Sequence, residues 1–215
     1  MKNKDEHERL KSKEFTKKRF LEAVGEIFME EGISEIGINN VARRAGFDKK
    51  LIYRYFKSRT GLLDAYIEEK DYWLKFQKGI LESINCEPDS RRYPVIVADI
   101  LKNQLEYFFH DKEAQKIILA EISGDEQLLE SVSRVREQLG EDIFAKLDPI
   151  FQRANIDFRA LSSLLVAGIY YIVLHAIFNG TTFCGVDINR ETERERVGKV
   201  IEWVIFLVFK AAKIG

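Results

Sequence analysis

Proline and cysteine are scarce in this chain. Only three of its 215 residues are proline, at positions 88, 94 and 149, and the long stretches between the glycines carry apolar residues at spacings of three and four. This pattern predicts helices throughout and an all-α fold. The two cysteines, Cys86 and Cys184, are far apart in sequence, and neither lies in a C-x-x-C pair. Their placement indicates neither a structural zinc site nor a disulfide framework, and it agrees with a reducing cytoplasm.

The chain also lacks the groups on which most enzyme classes depend. It has three histidines, His7, His110 and His175, and no phosphate-binding glycine loop, nucleophile elbow or set of residues with metal-ligand spacing. We therefore expect no catalytic residues, no cofactor and no metal ion.

No segment of the sequence is typical of secretion or of a membrane span. Residues 1–13 are charged and polar, which excludes a secretory signal peptide and predicts a flexible N-terminal arm. The most apolar run, residues 164–178, is shorter than the ~20 residues of a membrane-spanning helix, and it contains Tyr170, Tyr171 and His175. We interpret it as a buried helix of a cytoplasmic protein that has no membrane partner.

Basic charge is concentrated near the N-terminus. Residues 1–59 contain 15 Lys and Arg against 10 Asp and Glu, a net charge of +5, whereas the remainder contains 19 against 25, a net charge of −6. A basic head on an acidic body is typical of a protein that binds a polyanion such as DNA. A solvated lysine-rich N-terminus gives the same asymmetry, so charge alone leaves both interpretations open.

Three short helices are predicted in the basic region. The first two cover residues 16–31 and 37–45, and each has one apolar face and a glycine after its last turn. Asp48 can accept hydrogen bonds from the free amides of a third helix, residues 49–55, in which Ile52 faces inward. Two short helices joined by a glycine-containing turn form a helix-turn-helix, whose second helix enters the major groove of DNA.

The exposed side chains of this recognition helix are the candidate DNA contacts. Its first turns meet base edges, and lysine or arginine there can donate to guanine or to phosphate. The candidates are Lys49, Lys50, Leu51, Tyr53 and Arg54. Asn40 and Arg44 are expected on the solvent-facing side of the second helix, where a phosphate contact and a merely solvated face are equally good interpretations.

Four segments, taken together and in this order, resemble the TetR family of bacterial transcriptional regulators. They are FMEEG at residues 28–32, NVARRAG at 40–46, LIYRYF at 51–56 and KSRTGLL at 57–63. The resemblance covers roughly residues 16–63, and beyond them it rests only on length and helical character. It implies that Tyr53 and Tyr55 lie against phosphates, that Lys49 and Lys50 begin the recognition helix, and that Arg59 contacts the DNA backbone.

The domain organisation follows from these patterns. We expect a flexible arm over residues 1–13, a helix-turn-helix DNA-binding domain over 14–60, and a helical ligand-binding and dimerisation domain over 61–215. In the last domain, apolar periodicity and polar breaks predict a long helix that leaves the head and five further helices. Their predicted bounds are 61–84, 94–109, 112–122, 126–146, 158–178 and 189–212.

The last two predicted helices carry the broadest apolar surfaces of the chain. These surfaces could fill the core of a single chain, but the family resemblance implies that they form a four-helix interface in a homodimer. A twofold dimer presents two recognition helices to successive major grooves, about 34–36 Å apart, so its operator should be near-palindromic.

A ligand site is expected among the middle helices, because the resemblance implies a ligand-responsive repressor. Aromatic side chains there suit a small, largely apolar ligand, although such side chains more often belong simply to a core. The candidates are Phe76, Tyr107, Phe108, Glu121, Tyr171 and His175. Two other functions stay open: a regulator controlled by a protein partner without a small-molecule inducer, and a small-molecule enzyme.

Overall fold

The protein is described here by a computed structural model that covers residues 2–86, 89–124 and 126–213, with side chains described for 12–76, 78–86, 89–124, 136–137 and 139–213. The regular structure of these residues is helical, which confirms the predicted all-α fold. The helices are α1 Lys2–Glu30, α2 Ile38–Ala45, α3 Lys50–Phe56, α4 Arg59–Lys70, α5 Tyr72–Asn85, α6 Tyr93–His110, α7 Lys112–Ile122, α8 Glu126–Arg153, α9 Phe158–Asn179 and α10 Glu191–Ala211.

The chain divides into two compact units, Met1–Lys70 and Asp71–Gly215. The first unit contains α1 to α4, and α1 packs against both α2 and α4. Its helices form because each turns one apolar face inward, as predicted for the helix-turn-helix head. The side chains that are almost completely buried there are Phe20, Ala23, Val24, Ile27, Phe28, Ile36, Val41, Ile52, Leu62, Leu63, Tyr66 and Ile67.

Two bounds in this part of the chain differ from the prediction. Helix α1 begins at Lys2, so it includes the segment for which we predicted a flexible arm. The first unit extends to Lys70 instead of ending at residue 60, because α4 buries Leu62, Leu63, Tyr66 and Ile67 within it.

The second unit is built around α6. This helix packs against α5, α7, α9 and α10, and α5 in turn packs against α8. One end of the core is aromatic: the rings of Phe151 and Phe158 are stacked with centroids 4.1 Å apart, and Phe209 meets Phe151 edge-on at 4.8 Å. This arrangement of helices surrounds the cavity described below.

The predicted helix over residues 61–84 is in fact two helices, α4 and α5, separated by Asp71. The Asp71 backbone is extended, with φ −72° and ψ 132°, and its carboxylate accepts hydrogen bonds from the amides of Trp73 and Leu74. An N-terminal cap of this kind satisfies amides that would otherwise lack a partner, so it starts a new helix where the apolar spacing predicts a continuous one.

Helix α8 extends to Arg153 and includes Pro149, whereas the prediction ended it at residue 146. A proline inside a helix costs about 3 kcal/mol because it removes a backbone hydrogen bond and crowds the preceding turn. Leu147 and Phe151, on either side of the proline, are both almost completely buried in the core. Their burial offsets that cost and carries the helix past the proline.

Candidate DNA-binding surface and ligand cavity

Helix α3 separates buried apolar residues from an exposed polar surface. Ile52 is completely buried and Phe56 nearly so, with the Phe56 ring 6.3 Å from that of Phe20 in α1. Tyr53 is 53% exposed although its ring is large. Lys49, Lys50 and Arg54 are exposed as well, and Leu51 and Tyr55 are half-buried. The predicted DNA contacts of this helix therefore share one accessible surface.

The turn between α2 and α3 fixes the direction of α3. Gly46 adopts φ 77°, a left-handed conformation that favours glycine, and the amides of Gly46 and Phe47 both donate to the Ala42 carbonyl. The Lys50 amide donates to the Asp48 carboxylate at 2.8 Å, as predicted for the start of this helix. Local hydrogen bonds thus define the two ends of the helix-turn-helix turn.

Two of the polar candidates outside α3 make hydrogen bonds within the head. The Asn40 side chain donates to the Glu35 carbonyl at 3.1 Å and accepts from Arg43 at 2.6 Å. The Arg59 guanidinium donates to the Ile36 carbonyl at 2.6 Å and holds the short turn before α2. Asn40 and Arg59 therefore stabilise the head as well, and the sequence pattern does not reveal this structural role.

Arg44 is engaged by acidic residues of α1. Its guanidinium lies 2.6 Å from Glu30 and 2.5 Å from Glu31, and Glu26 is 3.7 Å away. The hydrogen bond to Glu30, followed by the charges of all three carboxylates, raises the pKa of Arg44. With its charge compensated in this way, Arg44 is a weaker phosphate candidate than Lys49 and Lys50 at the start of α3.

The second unit contains a cavity of about 500 Å³, within the size range of small-molecule sites. Its walls are mainly apolar and come from α5, α6, α7, α8 and α9. Aromatic side chains that line it are Trp73, Phe144, Phe158 and Tyr170. Glu121, Arg136, Glu137, Glu141 and Arg159 contribute charged groups to the same lining.

One wall of the cavity holds a buried ion cluster. Arg136 of α8 donates through Nε to Asp71 at 2.8 Å and through a terminal nitrogen to Glu121 at 2.5 Å. The Asp71 side chain is 3% exposed and that of Arg136 is 15% exposed. Burial is the largest single influence and lowers the pKa of Arg136, but the charges of Asp71, Tyr170 and Glu121 and the hydrogen bond to Asp71 together outweigh it, so the net pKa is raised.

Trp73 and Tyr170 complete this wall. The Trp73 indole donates to the Tyr170 hydroxyl at 3.1 Å. Burial raises the pKa of Tyr170 to about 12, against the opposing charge of Arg136, so this hydroxyl stays protonated at neutral pH. It therefore presents a hydrogen-bond donor in a mostly apolar surrounding.

Of the six predicted ligand residues, Glu121 lines the cavity and the other five lie elsewhere. Phe108 is buried in the core, with its ring 4.9 Å from Tyr170. Phe76 and Tyr107 pack on each other at 5.5 Å. Tyr171 and His175 belong to a cluster with Phe183, and no described residue is a hydrogen-bond partner of the His175 Nδ1.

Arg136 is a cavity residue that was not predicted from the sequence. Arg136 precedes Leu139, Ile143 and Leu147 at spacings of three and four, which puts a charged side chain on the apolar face of α8. A charge in such a position requires a buried counterion, and this was the available signal.

An apolar surface on α9 and α10 is exposed in the single chain. Leu164 is 71% exposed and Trp203 62% exposed, and Tyr171, Phe178, Val200, Phe206 and Leu207 are also exposed. By length and composition α9 is long and apolar enough to cross a membrane, which for one helix is weak evidence of a membrane span. Only 22% of its most apolar stretch is buried. The prediction of a buried helix therefore holds for one face of α9 alone.

The described residues contain no group of three or more His, Cys, Asp or Glu side chains that could hold a metal ion. Cys86 and Cys184 are free and exposed.

Comparison with known proteins identifies the head. The family model of bacterial regulatory proteins of the tetR family matches residues 20–66. HTH-type transcriptional regulators from two strains of Mycobacterium tuberculosis are 36% identical over 52 residues, which is 24% of this chain and 26% of each relative. The matched segment thus spans about a quarter of the length of these curated relatives.

Solved structures match nearly the whole chain. A TetR family regulator from Marinobacter aquaeolei covers 98% of both chains with a TM-score of 0.58 and 16% identity. The regulator FadR from Bacillus subtilis, in complex with stearoyl-CoA, covers 87% of this chain and 96% of its own, with a TM-score of 0.62 and 15% identity. FadR from Bacillus halodurans covers 87% and 96%, with a TM-score of 0.59 and 14% identity. At these identities the likeness shows the fold, and the helix-turn-helix head, over residues 20–66, matches the tetR family of bacterial regulatory proteins.

Proposed function

We propose that this protein is a homodimeric transcriptional repressor that binds a near-palindromic DNA operator through α3. The observation that carries this proposal is the exposed surface of α3, where Lys49, Lys50, Tyr53 and Arg54 are accessible while Ile52 anchors the helix. Lysine and arginine at the start of such a helix can contact phosphates and guanine edges. Tyr55 and Arg59 are proposed as further backbone contacts and Asn40 as a secondary one.

The homodimer is proposed to form through α9 and α10. Large exposed apolar patches mark interaction surfaces, and here the patch includes Leu164 and Trp203 on the two helices. A second copy of the chain covers such a patch in a twofold arrangement, in which each α9–α10 pair meets its equivalent. The same dimer supplies the two recognition helices that a near-palindromic operator requires.

We further propose that a small, largely apolar ligand in the cavity controls DNA affinity. The cavity of about 500 Å³ supports this function over control by a protein partner alone. FadR from Bacillus subtilis, which shares the fold, was solved in complex with stearoyl-CoA, whose acyl chain is apolar. A ligand changes DNA affinity only if it prefers one of two conformations of the protein.

Asp71 gives the ligand a route to the DNA-binding head. It follows directly after α4, caps α5, and is held by Arg136 from the cavity wall. A ligand that moves Arg136 changes the support of Asp71, the residue that directly follows α4. We propose this change as the switch.

The test of DNA binding is fluorescence anisotropy with DNA fragments from around the protein's own gene, with random-sequence DNA as the comparison. We expect tight, fragment-specific binding whose affinity falls steeply with salt. The double variant Lys50→Ala, Tyr53→Ala should lose this binding, and the salt slope should fall by about 1 for each lost phosphate contact.

Lys146→Ala serves as the matched control, since Lys146 is exposed on α8 and its loss changes the charge equally. It should bind the fragments like the unmodified protein. Equal weak binding to every fragment, with no effect of the double variant, would refute the assignment of α3.

A further inference from the structure

The ion cluster in the cavity wall carries an excess of negative charge. It consists of the carboxylates of Asp71 and Glu121 and the guanidinium of Arg136, which gives a formal net charge of −1. The side chains of the cluster are largely buried, with Glu121 the most exposed at 23%, and a largely buried net charge is unfavourable without a further partner because little water solvates it. A cation from outside the protein would complete the cluster.

Glu121 is the member of the cluster that is free to accept such a cation. Both Asp71 oxygens are occupied, one by the amides of Trp73 and Leu74 and the other by Arg136. Glu121 uses Oε2 for Arg136, and no described residue bonds its other oxygen. Glu121 also lines the cavity, so a ligand there can reach this carboxylate.

The positive groups of the lining are already compensated. Arg136 is held by two carboxylates, and Arg159 is likewise held by Glu141 at 2.5 Å and by Asp148 at 2.7 Å. Among the described residues, Glu137 lines the cavity without an ion pair. An anionic ligand would have to displace a carboxylate from one of the arginines, whereas a cationic ligand displaces none.

Aromatic rings at the same end favour a cation for a second reason. Trp73 and Tyr170 line the cavity and are joined to each other by a hydrogen bond beside the ion cluster. The faces of tryptophan and tyrosine rings attract cations, and quaternary ammonium groups are recognised in this way. The rest of the lining, which includes Ile100, Leu101 and Ile143, suits an alkyl or aryl portion.

We propose that the cavity binds an amphiphile with one cationic nitrogen, placed beside Glu121 and the rings of Trp73 and Tyr170, and an apolar remainder that fills the rest of the cavity. This inference rests on the proposed function, in which the cavity is the effector site. It names the charge of the effector, which the size and apolar walls of the cavity do not define.

The experiment compares three probes of equal chain length by isothermal titration calorimetry with the full-length protein, below the concentrations at which they form micelles. The probes are dodecyltrimethylammonium, dodecanol and dodecanoate. We expect the cation to bind about tenfold tighter than dodecanol, and dodecanoate to bind weakest. Glu121→Gln should weaken binding of the cation by about tenfold and leave dodecanol unaffected.

Two further variants keep the test decisive. Glu195→Gln changes the charge equally at an exposed position on α10 outside the cavity lining, and it should bind all three probes like the unmodified protein. Glu137→Gln should weaken binding of the cation less than Glu121→Gln does. It provides a second cavity variant if Glu121→Gln fails to fold. Dodecanoate binding as tightly as the cation, or a cation affinity unchanged in both cavity variants, would overturn the inference.

Binding of operator DNA by the protein without probe is measured in parallel. If DNA binding is present but the cation is not preferred, the ligand inference fails and the DNA-binding function stands. If no DNA fragment is bound specifically, the proposed function fails whichever probe the cavity prefers.

Discussion

Arg136 shows how a single buried charge can connect distant parts of the second unit. It bonds Asp71, which is 65 positions away in sequence, and Glu121, which is 15 positions away. The pair with Asp71 is shielded from water, and the same carboxylate caps α5. Removing one partner of a buried pair leaves the other charge without compensation, which is more damaging than losing a surface pair.

We therefore expect Arg136→Met to lower the free energy of unfolding by about 3 kcal/mol, since methionine keeps most of the side-chain length but leaves Asp71 buried and unpaired. Urea-induced unfolding of the full chain, followed by circular dichroism, measures the change. Arg159→Met is the control, because Arg159 also bonds two carboxylates but is 42% exposed. A loss for Arg159→Met as large as that for Arg136→Met would contradict the importance of burial.

At the residue scale, the sequence predicted what depends on near neighbours. The exposed positions of α3 and the contact of Asp48 with the start of that helix follow from helical spacing and capping within a few residues. The partners of Arg59 and Arg136 do not, because they lie 23 and 65 positions away and are brought together only by the packing of helices. Five of the predicted ligand residues lie outside the cavity lining. An aromatic residue on an apolar face can belong to a core, a cavity or an outer surface, and only the packing of the helices decides among these places.

Among the elements, α3 and α4 approach each other unusually closely. Gly61 lies in the first turn of α4, and a Cβ atom on it would overlap the carbonyl oxygen of Phe56 at the end of α3. The Gly61 amide donates a hydrogen bond to the Ser58 hydroxyl at 3.0 Å. The position of the recognition helix relative to α4 therefore depends on the absence of a side chain at residue 61.

Gly61→Ala should for this reason destabilise the protein by about 1–3 kcal/mol, because the overlap with backbone atoms forces α3 and α4 apart. It should also weaken operator binding in the anisotropy assay. Gly79→Ala is the matched control: Gly79 lies within α5 with open space around its Cα, and alanine there should stabilise the helix by about 0.5–1 kcal/mol. Urea-induced unfolding measures both changes in the free energy of unfolding. If Gly61→Ala stabilised the protein as much as Gly79→Ala does, the close approach of α3 and α4 at residue 61 would be contradicted.

Helix positions were predicted well from apolar spacing, since α7 begins and ends at the predicted residues and α6, α9 and α10 differ by only one or two. The break between α4 and α5 was missed because the apolar pattern continues across Asp71, and only its side-chain cap reveals a new helix. The end of α8 was missed in the opposite direction, because the burial of Phe151 carries the helix past Pro149. A local cap decided the first case, and tertiary packing decided the second.

For the whole molecule, the exposed surface of α9 and α10 sets the expected assembly. Large apolar side chains such as Leu164, Phe178 and Trp203 are exposed on these helices, while the opposite faces bury Val173, Ile201 and similar residues in the core. A helix that is apolar on both sides is buried on both sides in a stable assembly. The sequence predicted the breadth of these apolar surfaces, but it could not divide them between the core and a partner.

Trp203→Glu should convert the proposed dimer largely to monomer, because each copy of a twofold interface would then bury an unpaired carboxylate in place of an aromatic ring. Truncation of such central aromatic residues typically costs at least about 2 kcal/mol, so a rise of the dimer dissociation constant of about 30-fold or more is expected in sedimentation velocity experiments. Phe15→Glu is the control, since Phe15 is 61% exposed but lies on α1. It should leave the dimer intact.

Because one recognition helix alone reads half an operator, the monomeric Trp203→Glu protein should also lose most of its affinity for the full site and little of its affinity for an isolated half-site. An unchanged dimer in this variant would place the interface elsewhere on the molecule.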